Sequence, residues 1–579
     1  MAASLLPSTS FNNYRIGQVC LNVHSDQLQK GIMCFSVHLQ NRKCNIKLYM
    51  KPDTSISHNC VLRPFATAGS LEVDGERQGN QVSSGVLGPT NSQRSENLLD
   101  ISSNPSDSMS DFERQLQELF DEVKTMIRKG NKNDAIDLLQ ANYEAVKEQM
   151  DAGARGIEEA AMLDIIALGY MAAEDFKIVG SLLDMLNEVV DSLKGDGPLL
   201  DSILTHMGSM YSVLGKFDRS MLAYGRALEI LEGKYGNNST VLVTPLLGMA
   251  KVLGSIGRAT KAVELYHRVI AILELSRGTE SEDLVVPLFG LGNLLIKEGR
   301  VTDAENPFIR ILNIYKKLYG VDNERVGLAM CSLANVKCAE GNADEAIHLY
   351  RNALQVFEDS KSMALDDSII EKTRIDLAEL LHEVGRGKEG RELLEECLLI
   401  TEKYRGKEHP SSVSHLINLA TSYSRSKDFV KAERLLRTSL RIMMKTMGPD
   451  DQSITFPMLH LAVTLYNLNQ DDEAEKLALE VLGIREKAFG KESLPVGEAL
   501  DCLVPIQTRL GKDDTDLLEM LKRVLRIQEK GFGYESEEVM ETLKKIVFYL
   551  DKMGMKDEKF SLQRRLSMLR NKYKQMVRY

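Results

Sequence analysis

A glycine that returns at a fixed interval constrains this chain more than any other feature of its sequence. Gly215, Gly257, Gly299 and Gly341 follow one another at steps of 42 residues. Gly385 comes after a step of 44, and Gly511 closes three more steps of 42 through Lys427 and Asn469. A period of that size is the mark of a repeat array in which each unit packs on its neighbours. Without it, a length of 579 residues would suggest about four globular domains of roughly 150 residues each.

Other columns keep step with the marker. Seven residues before it stand Gly208, Ala250, Gly292, Ala334, Ala378, Ala420 and Ala462, and five after it Ser220, Ala262, Ala304, Ala346, Gly390, Ala432 and Ala474. Nine after it come Tyr224, Tyr266, Phe308, Tyr350, Leu394 and Leu436, with Ala478 as the exception. Apolar residues at i, i+3, i+4 and i+7 on both sides, as in Leu204, Met207, Gly208 and Tyr211, describe two amphipathic helices joined by a turn. The marker supplies the left-handed geometry that ends the first helix. The small columns let the two backbones approach to about 8–9 Å, and the bulky column fills the space beside them. A second stop follows most second helices, at Gly236, Gly320, Gly406, Gly448, Gly490 and Gly533.

These columns resemble the tetratricopeptide repeat, whose unit of about 34 residues has a similar order of small, aromatic and alanine positions. The longer period here, with Gly406-Lys407-Glu408-His409-Pro410 ahead of a helix containing Asn418-Leu419-Ala420, is similar to the kinesin light chain type. The resemblance implies an all-α fold, a right-handed superhelical solenoid of tetratricopeptide-like hairpins. Counting outward gives about eleven hairpins, with turns near 130, 174, 215, 257, 299, 341, 385, 427, 469, 511 and 554. The charged segment with Arg564, Arg565, Arg570 and Lys572 suits a capping helix, since one face of a terminal unit has no neighbour. Ser360 to Leu365 replaces a second stop and is expected to be a loop insertion. Pro307 should kink its helix or sit in its first turn.

The ends differ in composition. Residues 1–66 carry seven basic side chains against Asp26 and Asp53, are rich in Ser, Asn and His, and show no sustained apolar period. They are read as a transit peptide. One Arg in the first 20 residues with several hydroxyls favours the plastid. Arg63-Pro64-Phe65-Ala66 keeps the mitochondrion open, and a disordered cytosolic tail is the third reading. Residues 67–110 read as a disordered linker and 111–579 as the repeat solenoid.

The chain as a whole has a net charge of −11. An acidic body without a basic stripe argues against nucleic-acid binding. No run of 18 apolar residues occurs, so membrane insertion is not expected.

Little in the sequence points to catalysis or to a cofactor. Four of the eight cysteines fall within residues 1–66, and Cys331, Cys338, Cys397 and Cys502 lack C-x-x-C spacing. No metal-ligand spacing of His and no phosphate-loop motif occurs. Gly385-Arg386-Gly387-Lys388-Glu389-Gly390 matches G-x-G-x-x-G, but it follows a helix, whereas a dinucleotide fingerprint follows a strand. Its outer glycines are already the turn marker and the small column, and His382-Glu383 beside it reads as a solvated or groove-facing pair. The expectation is a non-catalytic scaffold with no cofactor and no metal, whose partner is a protein or peptide.

Stacked hairpins turn their first helices toward a concave groove. By register the groove residues are Asn293, Lys297, Asn335, Glu379, His382, Asn418, Thr421, Arg425, His460 and Tyr466. Asn on such a face can bond the backbone of an extended peptide through both ends of its amide. The tetratricopeptide clamp for chaperone C-termini would place its two Asn at Asn293 and Asn335, but its basic positions hold Phe289, Ile375 and Glu379. That clamp is therefore not expected. A motor-attachment coiled coil is not expected either, since only about five helical turns precede Gly130.

Overall fold

The computed structural model describes residues 105–576 apart from 194–196, 198, 361–362 and 450. The expected transit peptide and nearly all of the expected linker lie outside these residues. The described chain forms α-helices and short 3-10 turns, with no strand among the described residues. In order, the first eight helices are α1 (Pro105–Arg128), α2 (Lys132–Asp151), α3 (Ile157–Ala172), α4 (Phe176–Ser192), α5 (Leu200–Val213), α6 (Phe217–Tyr235), α7 (Val243–Ser255) and α8 (Ala259–Arg277). Then come α9 (Val285–Lys297), α10 (Val301–Tyr319), α11 (Glu324–Glu340), α12 (Ala343–Ser360), α13 (Ser368–Glu383), α14 (Gly387–Arg405) and α15 (Ser412–Arg425). The last are α16 (Phe429–Met447), α17 (Thr455–Asn467), α18 (Asp471–Phe489), α19 (Leu494–Arg509), α20 (Asp514–Phe532), α21 (Glu537–Lys552) and α22 (Lys556–Met576).

The helices group into two compact units, one ending at Thr279 and the other beginning at Glu280. Within each unit every helix packs on the next, and first helices also touch, as α3 does α5 and α17 does α19.

All of the expected turn positions, 130, 174, 215, 257, 299, 341, 385, 427, 469, 511 and 554, take a positive φ between 60° and 82°. Glu174, Lys427 and Asn469 adopt it without being glycine. The reason is the hydrogen bonding. The residue after each marker returns its N–H to a carbonyl in the last helical turn, Arg386 to Leu381 at 2.7 Å and Asp428 to Tyr423 at 2.9 Å. This closure needs a left-handed residue, whatever its side chain.

The small columns are the seam of each hairpin. Ala250, Ala334, Ala378 and Ala462 are fully buried, as are Ser220, Ala262, Ala304, Ala346, Ala432 and Ala474. Ser220 Oγ donates to the Gly208 carbonyl at 2.6 Å, across the seam. A Cβ on Gly390 would stand 2.6 Å from the Ala378 carbonyl oxygen, and one on Gly292 2.5 Å from the Phe308 ring. The bulky column is buried throughout, and Ala478 keeps its place in it.

Two details differ from expectation. α1 begins at Pro105, inside the stretch read as linker, because proline's fixed φ and missing N–H suit a helix's first position. Pro307 lies beyond the first turn of α10, which runs on through it. Its ring is buried among the core side chains of that helix.

Candidate functional site

The face to consider belongs to the second unit, where α9, α11, α13, α15 and α17 are the first helices of their hairpins. Equal turns and equal register place equivalent residues on the same side of successive helices. Asn293, Asn335, Glu379 and Thr421 occupy one row, six residues before their markers. Lys297 and Arg425 share a second row, Asn418 and His460 a third, and His382 and Tyr466 a fourth.

Asn293, Lys297, Asn335 and Arg425 are exposed, and Asn418 is half-buried. Asn335 is also oriented. Tyr350, buried in the bulky column of the same hairpin, donates its hydroxyl to Asn335 Oδ1 at 2.5 Å, which leaves the amide nitrogen as the outward donor. Thr421 is half-buried, and its hydroxyl donates to the Ile417 carbonyl at 2.9 Å, so its proton is used within its own helix.

Glu379, His382 and Arg425 share an electrostatic neighbourhood. Desolvation raises the Glu379 carboxyl and the Arg425 charge opposes that rise. His382 is pushed down to about 4, first by burial and then by Arg425 and Arg391. Its ring lies against the turn, where a Cβ on Gly387 would come within 2.7 Å of Nδ1. Gly387 and Gly390 of the G-x-G-x-x-G string thus make room for an imidazole of their own hairpin.

Tyr466, expected in the groove, carries Arg509 stacked on its ring at 3.6 Å, and Arg509 also bonds its carbonyl and pairs with Asp471. One ring face is therefore covered from within the chain. His460 is half-buried against Phe456, ring centres 4.5 Å apart, and burial followed by Arg485 pushes it down to about 4.

Asp376 was missed. It lies in the same row as Asn418 and His460, and that register is the signal that would have found it. Burial raises its carboxyl to about 6, with Lys372 opposing. Tyr350 and Arg509, which position two of the expected residues, were missed as well. Tyr350 lies in the bulky column, away from the groove rows, whereas Arg509 falls in the row of Lys297 and Arg425, and register alone does not show that it reaches Tyr466.

The remaining chemistry is quiet. Burial pushes Cys331, Cys397 and Cys502 up to about 12 and Cys338 to about 11, so none is held as the thiolate that nucleophilic work requires. Cys331 Sγ contacts Thr373 Oγ1 on the next first helix at 3.4 Å. Among the described residues no cluster of three or more His, Cys, Asp or Glu could hold a metal ion. None of the described helices is long and apolar enough to cross a membrane.

Family models of the tetratricopeptide repeat match residues 283–359, 370–445 and 458–494. These three stretches of the second unit are thus tetratricopeptide repeats. A search of curated proteins gave no match.

Solved structures similar to it include BtubC (BKLC) of P. vanneervenii, 19% identical over 41% of this chain and 91% of that one, with a TM-score of 0.34. Nearly identical TPR-like repeats of a kinesin light chain candidate from Podosopora anserina are 23% identical over 35% of this chain and 96% of theirs, with a TM-score of 0.32. The apo form of the quorum sensor NprR of B. thuringiensis is 12% identical over 64% of this chain and 99% of that one, with a TM-score of 0.37.

Proposed function

We propose that the second unit is a non-catalytic scaffold that holds an extended segment of a protein or peptide partner along its first-helix face. The observation that carries this is the row Asn293, Asn335, Glu379 and Thr421, with the Asn335 amide turned outward by Tyr350. The Asn335 amide, with the exposed Asn293 one hairpin earlier, suits the carbonyls of an extended chain, and the flanking Lys297 and Arg425 add charge to the same face. Raised thiols and neutral histidines support a binding role over a catalytic one. Affinity should rest on a few of these contacts.

The test is a peptide-library selection on the full chain, followed by titration of the best ligand against Asn293→Ala, Asn335→Ala and Arg425→Ala. At least one variant should weaken binding tenfold or more while melting like the wild type. Unchanged affinity in all three would remove the face from consideration.

For location we propose the plastid, with the mitochondrion and the cytoplasm as alternatives, on the composition of residues 1–66. Import of the full chain into isolated plastids should shorten it near residue 66. A full-length product left outside would favour the alternative reading, a cytosolic adaptor related to kinesin light chains.

A further inference from the structure

Eleven residues before each marker in the second unit, the first helix places a side chain in the core: Leu288, Met330, Leu416, Met458, Leu500 and Leu543. The hairpin of Gly385 has Arg374 there, and only 3% of it is exposed. Sixteen residues after the marker the second helix offers Tyr315, Phe357, Met443 and Ile527, but Thr401 in this hairpin. The next first helix adds His415, 1% exposed, in a column that holds Pro287, Ala329, Pro457 and Ala499 but also the threonines Thr373 and Thr542.

The polar groups that replace this apolar core are incompletely satisfied. Arg374 Nη2 lies 3.1 Å from Glu396 and 3.7 Å from Glu358, both half-exposed, in ion pairs whose geometry falls short of a hydrogen bond. His415 Nε2 is 3.0 Å from Thr401 Oγ1 and 3.5 Å from Glu371, while its Nδ1 has no hydrogen-bond partner among the described residues. Arg485 is an instructive contrast. It too replaces an apolar residue, but it donates to Thr455 Oγ1, to the Pro495 carbonyl at 2.6 Å and to Glu498.

The apolar core thins at the same place. Buried apolar side chains from Ala334 to Leu381 form one cluster and those from Ile417 to Ile506 another. Between them lies the small group of Ala378, Leu394 and Leu419. In a stack held by nearest-neighbour packing, the weakest interface is where local opening begins.

We infer that the hairpin α13–α14 is the joint of the second unit, the place where its stack opens ahead of the rest. It lies between Asn335 and Asn418, so opening there parts the candidate binding face into two halves. This inference stands whether or not that face binds a peptide.

Native-state hydrogen exchange on the full chain tests it. Amides of α13 and α14 should exchange at least tenfold faster than those of α10, α11, α17 and α18. The triple variant Arg374→Leu, Thr401→Met and His415→Ala restores the residue types of the other hairpins and should close that gap. Arg374→Leu alone should narrow it at least threefold, which decides the matter if the triple variant does not fold. Uniform protection from α10 to α18 in the wild type, or an unchanged gap in a folded variant, would overturn the joint.

Discussion

The hairpins of Gly341 and Gly385 are neighbours with the same frame and different fillings. Both turn at a φ of 80°. Both close their seam with small residues, Ala334 against Ala346 in one and Ala378 against Gly390 in the other. Yet Met330 and Phe357 fill the first where Arg374 and Thr401 stand in the second. Backbone geometry is thus set by turn and seam, which the seven hairpins from Gly215 to Asn469 share. Cohesion is set by the columns beside them, which can be exchanged hairpin by hairpin without altering the path of the chain.

The comparison can be broken most severely at the shared frame. Ala346→Arg should abolish the cooperative melt, because a long charged side chain at a fully buried position exceeds the overpacking cost of about 1–3 kcal/mol. Gln355→Arg, on the exposed side of the same helix, should melt like the wild type. A normal melt for Ala346→Arg would mean the seam is elsewhere.

Next comes the filling. Phe357→Ala should cost about 3–5 kcal/mol, whereas Thr401→Ala in the same column should cost about 1 kcal/mol, the worth of one hydrogen bond. Equal losses in denaturant titration would erase the distinction between the two hairpins.

Acid should also separate them. The usual imidazole value is 6.5 and that of His382 is about 4, so its contribution is whole above pH 6.5 and falls as pH drops toward 4. With allowance for solvent screening at a half-buried ring, the loss is on the order of 1 kcal/mol. Asp376, raised to about 6, acts in the opposite sense. The measurement is therefore the difference between wild type and His382→Gln, which leaves Asp376 in both. No pH dependence in that difference would contradict the burial of the ring.

The smallest effect concerns the turns. Lys427 holds a φ of 63°, and Lys427→Gly should stabilise by about 0.5–1 kcal/mol by relieving left-handed strain. Any loss of stability would show that the lysine side chain makes a contact of its own.

The frame was legible in the sequence because it repeats. Gly215 to Gly341 fix the period, and Ala250, Ala334 and Ala432 fix the helix contact by size alone. Even Lys427 and Asn469 could be placed by counting. The site was legible only in part. Register gave the rows, and it would have given Asp376 and Arg374 had those columns been compared, but it does not show what a neighbouring helix does to a side chain. Tyr350 turns Asn335 from the second helix of the same hairpin, and Arg509 covers Tyr466 from the next one. Those pairings depend on rotamers and helix rotation, which carry no period.

Complementarity between the small and bulky columns is the core of the account, and a double-mutant cycle at Gly292 and Phe308 measures it directly. With Phe308 in place, Gly292→Ala should destabilise by more than about 1 kcal/mol, since its Cβ would meet the ring. In a Phe308→Leu background the same change should be neutral or stabilising by up to about 1 kcal/mol, the helix preference of alanine over glycine. Equal effects of Gly292→Ala in the two backgrounds would mean that the glycine and the ring do not share space, and the packing described here would be wrong.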